Sequence, residues 1–366
     1  MERDLTPDWI LKQTLNLQQT ALMSFLKEKE SAMGGNGESS EGLTLTVLGC
    51  GTMGIAILGG ILDSLSTSRS KQSDTAVQDE PKRLPSRFNA CVRSSKSAER
   101  IKGELGQYEA FKHLTIHQNS NANPTQDADV IIIGCKPHMV RGVLQAEGMQ
   151  KAVKGKLVIS ICAGLTEEQI VAFLPSATHC TVVRALPNTA AAVRESMTVI
   201  ATSPSAPLDQ DTDALMTWIF TRIGRVARMP SANMDACTAL CGSGPAFIAL
   251  IVESMAAGAI AMGIPRDDAY FMTAQTARGM TQLILTGGEG GKAEHPAILR
   301  DKVSTPGGCT IGGLLVLEEA GVRGTLAKAV REATVVAGLL GEGKGGVNGT
   351  RRNLSTAYVL AVVLGA

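Results

Sequence analysis

The segment Leu43-Thr-Leu-Thr-Val-Leu48-Gly49-Cys50-Gly51-Thr52-Met53-Gly54 decides the fold of the first half of the chain. A short apolar run, which predicts a strand, ends in G-x-G-x-x-G, and a helix is predicted over 55–65. In this setting the first glycine allows a tight turn, the second lets a pyrophosphate approach the backbone, and the third lets helix and strand pack closely. The segment therefore predicts a dinucleotide site formed by Gly49, Gly51, Thr52, Met53 and Gly54.

Further apolar runs extend this unit to a doubly wound α/β domain of the Rossmann type over 43–230. Asp129-Val-Ile-Ile-Ile133 is continuously apolar after its first residue, which is typical of a strand buried on both faces of a parallel sheet. The other predicted strands are Leu43–Leu48, Asn89–Val92, Leu157–Cys162, Thr181–Ala185, Met197–Thr202 and Val226–Met229, and predicted helices include 96–106, 166–174 and 208–223.

The pattern changes after Pro230. Helices are predicted over 232–262, 266–286, 296–304, 310–320 and 324–340, with no strand candidate among them. The first carries apolar residues around much of its circumference, and such a helix must be buried. We therefore expect an all-α domain over 231–341 that forms a homodimer interface, with a higher oligomer left open.

Three segments lie outside this pattern: a helix and flexible linker over 1–42, an exposed insertion over 66–87, and a tail over 342–366 to which no role is assigned. The N-terminus, Met1-Glu-Arg-Asp4, does not resemble a secretory signal, and the apolar run in the tail is too short to span a bilayer. These features predict a cytoplasmic protein without a membrane partner.

Composition excludes some function classes. The chain has 35 Lys+Arg and 34 Asp+Glu, and aromatic residues make up only 3%, so neither a basic patch nor a stacking surface for nucleic acid is expected. The eight cysteines and five histidines are dispersed, which favours free thiols in a reducing compartment and no metal site.

The loop after the second predicted strand indicates which dinucleotide binds. It runs Arg93-Ser94-Ser95-Lys96, with no acidic residue before Glu99. An enzyme that uses NAD usually has an acid there, whereas these side chains suit a 2′-phosphate, so NADPH is favoured and NADH stays possible. We expect the loops after other strands, with Cys135-Lys136-Pro137, Ala163 and Asn188, to line the same cleft.

A second anion site is predicted in Ser304-Thr305-Pro306-Gly307-Gly308-Cys309-Thr310. The Pro-Gly-Gly loop exposes backbone N–H groups where a new helix is predicted to begin at Thr310, and it suits a small carboxylate or phosphate. Two anion sites in two regions indicate a dinucleotide and an acidic substrate. Thr310 can cap the helix, contact the substrate, or do both.

These motifs together resemble the pyrroline-5-carboxylate reductase family over roughly 43–341. The matching pieces are Gly49–Gly54, Asp129–Pro137, Pro187-Asn188-Thr189, Gly242-Ser243-Gly244-Pro245-Ala246 and the run from His295 to Glu318. The resemblance implies a Rossmann domain, a helical dimerisation domain, and reduction of 1-pyrroline-5-carboxylate to L-proline with NADPH or NADH.

The resemblance also implies roles for individual residues. Gly307 and Gly308, with Ser304 and Thr305, would hold the substrate carboxylate, and Thr310 would lie near the ring nitrogen. Ser243 would contact the substrate, although close helix packing also explains a small residue there. Asn121 would contact the cofactor.

Hydride transfer to a cyclic imine is favoured when the ring nitrogen is protonated. Because no His, Asp or Glu stands in the signature loop, Thr310 is assigned to positioning, and water or a pre-protonated substrate supplies the proton. Two alternatives stay open: a reductase of another cyclic imine or imino acid, such as piperideine carboxylate, and a catalytically silent NADPH-binding scaffold.

Overall fold

A computed structural model describes residues 42–68, 81–175, 178–203 and 207–341. The predicted helix at 5–31, the linker that follows it, most of the predicted insertion and the tail after residue 341 lie outside these residues. Within the described ranges, the chain forms a mainly parallel α/β sheet domain and then a helical region, which confirms the fold class predicted from the sequence.

The sheet domain has eight strands. They are β1 (Leu43–Leu48), β2 (Pro85–Val92), β3 (Leu114–Gln118), β4 (Val130–Ile133), β5 (Leu157–Ser160), β6 (Thr181–Leu186), β7 (Ser196–Thr202) and β8 (Gly224–Pro230). Their order in the sheet is β3-β2-β1-β4-β5-β6-β7-β8, and every neighbouring pair is parallel except β6 and β7. The order reverses between β1 and β4, which is where ligands bind in sheets of this type.

Helices cover both faces of this sheet. They are α1 (Thr52–Ser68), α2 (Ser95–Leu105), α3 (Ala122–Gln126), α4 (Pro137–Leu144), α5 (Met149–Ala152), α6 (Glu167–Ala172) and α7 (Gln210–Thr221). On β4, Ile132 belongs to the apolar core on one face, and Ile131 and Ile133 belong to the core on the other. This arrangement explains why the strand is continuously apolar.

Three features of the sheet domain differ from the prediction. Strand β3 was not predicted, because its sequence Leu-Thr-Ile-His-Gln is half polar, as suits an edge strand with partly exposed side chains. The pairing of β6 with β7 is antiparallel. The insertion predicted over 66–87 is shorter, since α1 continues to Ser68 and β2 begins at the buried Pro85.

The helical region begins with a broken helix. The helix predicted over 232–262 is observed with a π turn inside it, since the chain forms α8 (Met234–Cys237), a π-helical turn (Thr238–Ser243) and α9 (Gly244–Ala261) without a gap. Pro245 is one reason for the break, since proline has no N–H for a helical hydrogen bond. The remaining helices are α10 (Arg266–Thr286), α11 (Pro296–Val303), α12 (Cys309–Glu319) and α13 (Val322–Gly341).

Large apolar side chains are exposed on these helices. They include Ile248, Leu250, Met255, Phe271, Met272, Leu283, Leu315, Val316 and Leu317. Helix α13 packs on α8 and on the π turn, and α9 packs on α10, but α12 has no buried residue. By length and composition alone, Ser231–Ala261 is apolar enough to cross a bilayer, and only 6% of its most apolar window is buried.

Candidate active site

The glycine turn after β1 has the geometry of a dinucleotide seat. Gly49 has a φ of +75°, and a Cβ on it would lie 2.7 Å from the Cβ of Cys135 at the end of β4. Gly51 is open, since its nearest such neighbour is the Gly49 carbonyl at 3.9 Å. A Cβ on Gly54 would lie 3.0 Å from a methyl group of Val47, so helix and strand pack closely there.

The N-terminus of α1 is directed at this turn. The helix begins at Thr52 and has no acidic side chain in its first turn, so its positive end is not neutralised from within. A pyrophosphate can therefore approach Gly51 and accept hydrogen bonds from the backbone N–H groups of the first turn. A dinucleotide cofactor fits the residues present.

The loop after β2 places cations beside this seat. Ser94 caps α2 by accepting a hydrogen bond from the Ser97 N–H at 3.2 Å, so its hydroxyl is partly occupied. Arg93 and Lys96 are exposed, and neither forms an ion pair with any other described residue. Both are available to a phosphate on the ribose.

Arg100 was missed by the sequence reasoning. Its guanidinium lies 3.4 Å from the Thr52 hydroxyl at the start of α1, and 3.7 Å from Glu104 on its own helix. The available signal was its spacing of four residues from Lys96, which puts both cations on one face of α2. Arg100 therefore adds positive charge at the predicted pyrophosphate position.

Four cysteine thiols lie around the glycine turn, and the pKa of one is shifted in the opposite direction from the other three. Burial raises the pKa of Cys50 and of Cys91 to about 12. The pKa of Cys135 is lowered, chiefly by a hydrogen bond from the Cys162 thiol, and Arg93 contributes in the same direction. The Cys162 thiol also lies 3.1 Å from the carbonyl of Cys135. Cys135 is thus the most acidic thiol of this group.

The other predicted cofactor residues lie at the carboxyl ends of strands. Asn121 precedes α3 and makes no side-chain capping bond. Lys136 and Pro137 open α4 after β4, and Ala163 is exposed after β5. Their position agrees with a common cleft, and their contact with a cofactor stays a prediction.

The predicted substrate loop joins α11 to α12. The Gly308 N–H donates to the Thr305 carbonyl at 3.1 Å, and Gly307 has a φ of +68° with open space around it. The Ser304 hydroxyl donates to the Arg300 carbonyl at 2.7 Å, so it already has a partner. No acidic residue lies in the first turn of α12, and the backbone N–H groups at its N-terminus can donate hydrogen bonds to an anion.

Thr310 does not cap this helix. The helix begins one residue earlier than predicted, at Cys309, and its N-cap is Gly308, which makes no side-chain capping bond. The Thr310 side chain is half-buried, and no hydrogen bond to it is formed within the described chain. Of the two predicted roles, capping is wrong, and substrate contact stays a prediction.

The two predicted anion sites are not hydrogen-bonded to each other within the part of the chain that the structure describes. Over the described ranges, no hydrogen bond or ion pair links the loop Ser304–Thr310 to the glycine turn, and α12 packs mainly on α13. The contacts between the sheet domain and the helical region lie elsewhere. Asn188 donates to the Cys241 carbonyl in the π turn at 3.0 Å, and Gln169 donates to the Gly341 carbonyl at 2.7 Å.

Comparison with known proteins agrees with this geometry. Residues 231–339 match a family model described as pyrroline-5-carboxylate reductase dimerisation, and residues 44–164 match one described as NADP oxidoreductase, coenzyme F420-dependent. A pyrroline-5-carboxylate reductase of Lophium arboricola is 57% identical over 323 residues, which are 86% of this chain and 98% of that protein.

Two solved structures are similar. That of a pyrroline-5-carboxylate reductase from Coxiella burnetii has a TM-score of 0.64 at 27% identity, covering 81% of this chain and 98% of that one. A Plasmodium falciparum pyrroline carboxylate reductase, solved with NADP bound, has a TM-score of 0.64 at 23% identity. It covers 83% of this chain and 100% of that one, and it shares the fold.

Proposed function

The chain belongs to the pyrroline-5-carboxylate reductase family, and we propose that it reduces 1-pyrroline-5-carboxylate to L-proline by hydride transfer from NADPH. The observation that carries the proposal is the glycine turn at the switch point of the sheet, where Gly49 must lack a side chain and Gly51 is open to a ligand. The second anion site, in the helical region, supports an acidic substrate.

NADPH, when bound, supplies the hydride. The chain supplies orientation and charge. The N-terminus of α1 and Arg100 hold the pyrophosphate, and Arg93 and Lys96 hold the 2′-phosphate through charge-assisted hydrogen bonds. Because these cations are exposed and their loop has no acidic residue, NADPH is the expected partner, and NADH can bind without the 2′-phosphate contacts.

The substrate loop holds the carboxylate and orients the ring. Backbone N–H groups around Gly307 and Gly308 donate hydrogen bonds to the carboxylate. The Thr310 hydroxyl forms a hydrogen bond at or beside the ring nitrogen. The histidine nearest to this loop in sequence, His295, already accepts the Ala297 N–H through Nδ1 at 3.2 Å. A threonine hydroxyl is too weak an acid to protonate the imine, so the proton comes from water or arrives on the substrate.

A homodimer covers the apolar faces of the helical region. We infer that a second copy of the chain, and not a lipid bilayer, covers Ser231–Ala261, because the dimerisation model matches this stretch and because the π turn interrupts it. Dimerisation also buries α12 and brings its loop towards a cofactor-bearing sheet domain. We expect the dimer in the cytosol.

Turnover assays test the proposed function. The purified protein is expected to oxidise NADPH in the presence of 1-pyrroline-5-carboxylate and to release L-proline. A faster reaction with the six-membered piperideine carboxylate would shift the assignment to that imine. Measurable NADPH binding without oxidation in the presence of either imine would identify a silent scaffold.

Thr310 gives the matching test of the site. Thr310→Ala removes the hydroxyl and is expected to lower kcat, with folding and NADPH affinity retained. Thr310→Ser keeps the hydroxyl and should retain most of kcat. Equal activity of the alanine variant and the parent protein would rule out the positioning role of Thr310.

A further inference from the structure

We propose that Asn188 is a positioning residue, which holds the π turn of the helical region, and with it Ser243, against the end of β6. This inference rests on the proposed function for its kinetic consequence, and on the hydrogen bonds of Asn188 for its physical basis. It replaces the predicted role of Asn188 as a cofactor ligand.

The π turn has a carbonyl that lacks its α-helical donor. In an α-helix, the carbonyl of Cys241 would accept the N–H of the residue four positions later, and that residue is Pro245, which has no N–H. The helix widens to a π turn over Thr238–Ser243, which ends two residues before this proline. Such turns often occur at functional sites.

Asn188 supplies a donor from the sheet domain. Its side-chain amide donates to the Cys241 carbonyl at 3.0 Å. Its side-chain oxygen accepts the Ala190 N–H at 3.1 Å, which caps the turn that follows β6. These two contacts fix the orientation of the carboxamide, because only the nitrogen can face a carbonyl and only the oxygen can face an N–H.

The backbone of Asn188 is also fixed. Its N–H donates to the hydroxyl of Ser196 at 3.0 Å, and Ser196 is buried at the start of β7. The side chain therefore extends from an anchored point of the sheet to the π turn. Cys237 and Cys241 pack beside it against the apolar cluster of Leu186 and Met234.

The consequence for the reaction concerns Ser243. It lies two residues after Cys241 and directly before α9, and no hydrogen bond fixes its own side chain at the helix start. The contact of the π turn with Asn188 therefore sets the position of Ser243 relative to the proposed cofactor site. Losing the Asn188 amide should disturb substrate binding while leaving the glycine turn intact.

Two variants of the full-length protein test the proposal. Asn188→Ser keeps an oxygen that can cap the following turn but removes the amide donor. Asn188→Asp keeps the shape and the cap but presents an oxygen to the Cys241 carbonyl. We expect kcat/KM for 1-pyrroline-5-carboxylate to fall at least ten-fold in Asn188→Ser and further in Asn188→Asp.

The Kd for NADPH, measured by fluorescence titration, should stay within two-fold of the parent value in both variants. Asn233→Ser, at an exposed asparagine without a side-chain capping bond, is the matched control.

A double-mutant cycle with Pro245→Ala separates the mechanism from general damage. Alanine at position 245 restores the N–H donor that the Cys241 carbonyl lacks. In that background, Asn188→Ser should therefore lower kcat/KM by at most three-fold. The cycle is also measured by thermal unfolding, where Asn188→Ser should lower the midpoint by about 2–4 °C and less beside Pro245→Ala. This readout needs no turnover, so it distinguishes a failure of the proposal from a failure of the proposed function.

Three outcomes would overturn the assignment. A ten-fold rise in the Kd for NADPH with an unchanged KM for the imine would make Asn188 a cofactor ligand. Equal imine kinetics in the parent protein and in Asn188→Ser would leave it without a positioning role. Equal losses with and without Pro245→Ala, in midpoint and in kinetics, would show that the Cys241 carbonyl is not the group through which Asn188 acts.

Discussion

The sheet domain and the helical region use apolar residues in opposite ways. Every residue of β1 is buried, and β4 is apolar on both faces because helices cover both. Helix α9 has 18 residues, of which only Ala256 is buried. Phe271 on α10 is 72% exposed and Val316 on α12 is 64% exposed. One part of the chain completes its core alone, and the other needs a partner.

The energetic consequence is large. Full burial of one Val, Leu or Phe side chain contributes about 1.5–3 kcal/mol, so covering several of those exposed on α9, α10 and α12 strongly favours association. The proposed chemistry is divided in the same way, since the proposed cofactor site lies in the self-contained part and the proposed substrate loop in the part with exposed apolar helices. Association and substrate binding should therefore depend on each other.

A charge on the helical surface should have the largest effect. Val316→Asp places a carboxylate where a second copy is expected to pack, and burying it unpaired costs several kcal/mol. We expect loss of the dimer by light scattering and a drop in turnover of roughly 100-fold or more, with NADPH still bound. Val171→Asp is the control, because Val171 is also a helical valine, 46% exposed, but in the sheet domain. A Val316→Asp dimer with normal turnover would contradict this division of the molecule.

Two positive-φ glycines, Gly49 and Gly307, lie one in each proposed anion site, and they sharpen the comparison. In Gly49→Ala, the new Cβ would collide with Cys135 at 2.7 Å, and we expect NADPH affinity to fall by about 10- to 100-fold, with a lower unfolding midpoint. In Gly307→Ala, the Cβ meets nothing within 4 Å, so the cost is backbone strain of about 1–2 kcal/mol.

The expected result is therefore a crossed pattern. Gly307→Ala should raise the KM for the imine and leave the Kd for NADPH unchanged, whereas Gly49→Ala should do the reverse. Isothermal titration with NADPH and steady-state kinetics with the imine measure the two effects. If both variants lost NADPH binding equally, the two loops would belong to a single cofactor site.

Much of the sheet domain could be predicted because its signals are local. The glycine turn and the strand at Val130–Ile133 follow directly from apolar runs and glycine spacing. Strand β3 could not be predicted in this way, because an edge strand does not require an apolar pattern. The antiparallel β7 depends on pairing between distant segments, which periodicity does not encode.

The site was predictable in part for the same reason. The loop motifs were visible in the sequence, but the bond from Asn188 to Cys241 joins residues 53 positions apart, and only tertiary structure brings them together. Arg100 reaches Thr52 across 48 positions. For the bond from Asn188, the local signal was Pro245, which has no N–H for the Cys241 carbonyl, but a proline does not indicate which residue donates to that carbonyl instead.

Removing cations beside the cofactor seat should have a smaller effect, confined to the sheet domain. Arg93→Ser removes the proposed charge-assisted hydrogen bond to the 2′-phosphate, so the KM for NADPH should rise about ten-fold while that for NADH is unchanged. Steady-state kinetics with both cofactors measure the ratio. Lys102→Ser, at an exposed lysine of α2, the helix that follows this loop, is the control. An equal rise for NADH would show that Arg93 acts on a part common to both cofactors.

Thiol reactivity tests the same division between the sheet domain and the helical region, with the smallest expected effect. Since the pKa of Cys135 is lowered and those of Cys50 and Cys91 are raised to about 12, Cys135 should hold most of the thiolate of this group at neutral pH. Its alkylation by iodoacetamide should accelerate as the pH rises towards its pKa and level off above it. Bound NADPH should slow this reaction several-fold by covering the glycine turn.

Cys309 provides the comparison from the helical region, because it is exposed at the start of α12, next to the proposed substrate loop. Mass spectrometry of the labelled peptides should show protection of Cys135, and none of Cys309, when NADPH alone is added. Protection of both thiols by NADPH would mean that the substrate loop closes over the cofactor before the imine binds. The cofactor seat would then depend on the helical region, contrary to its description as self-contained.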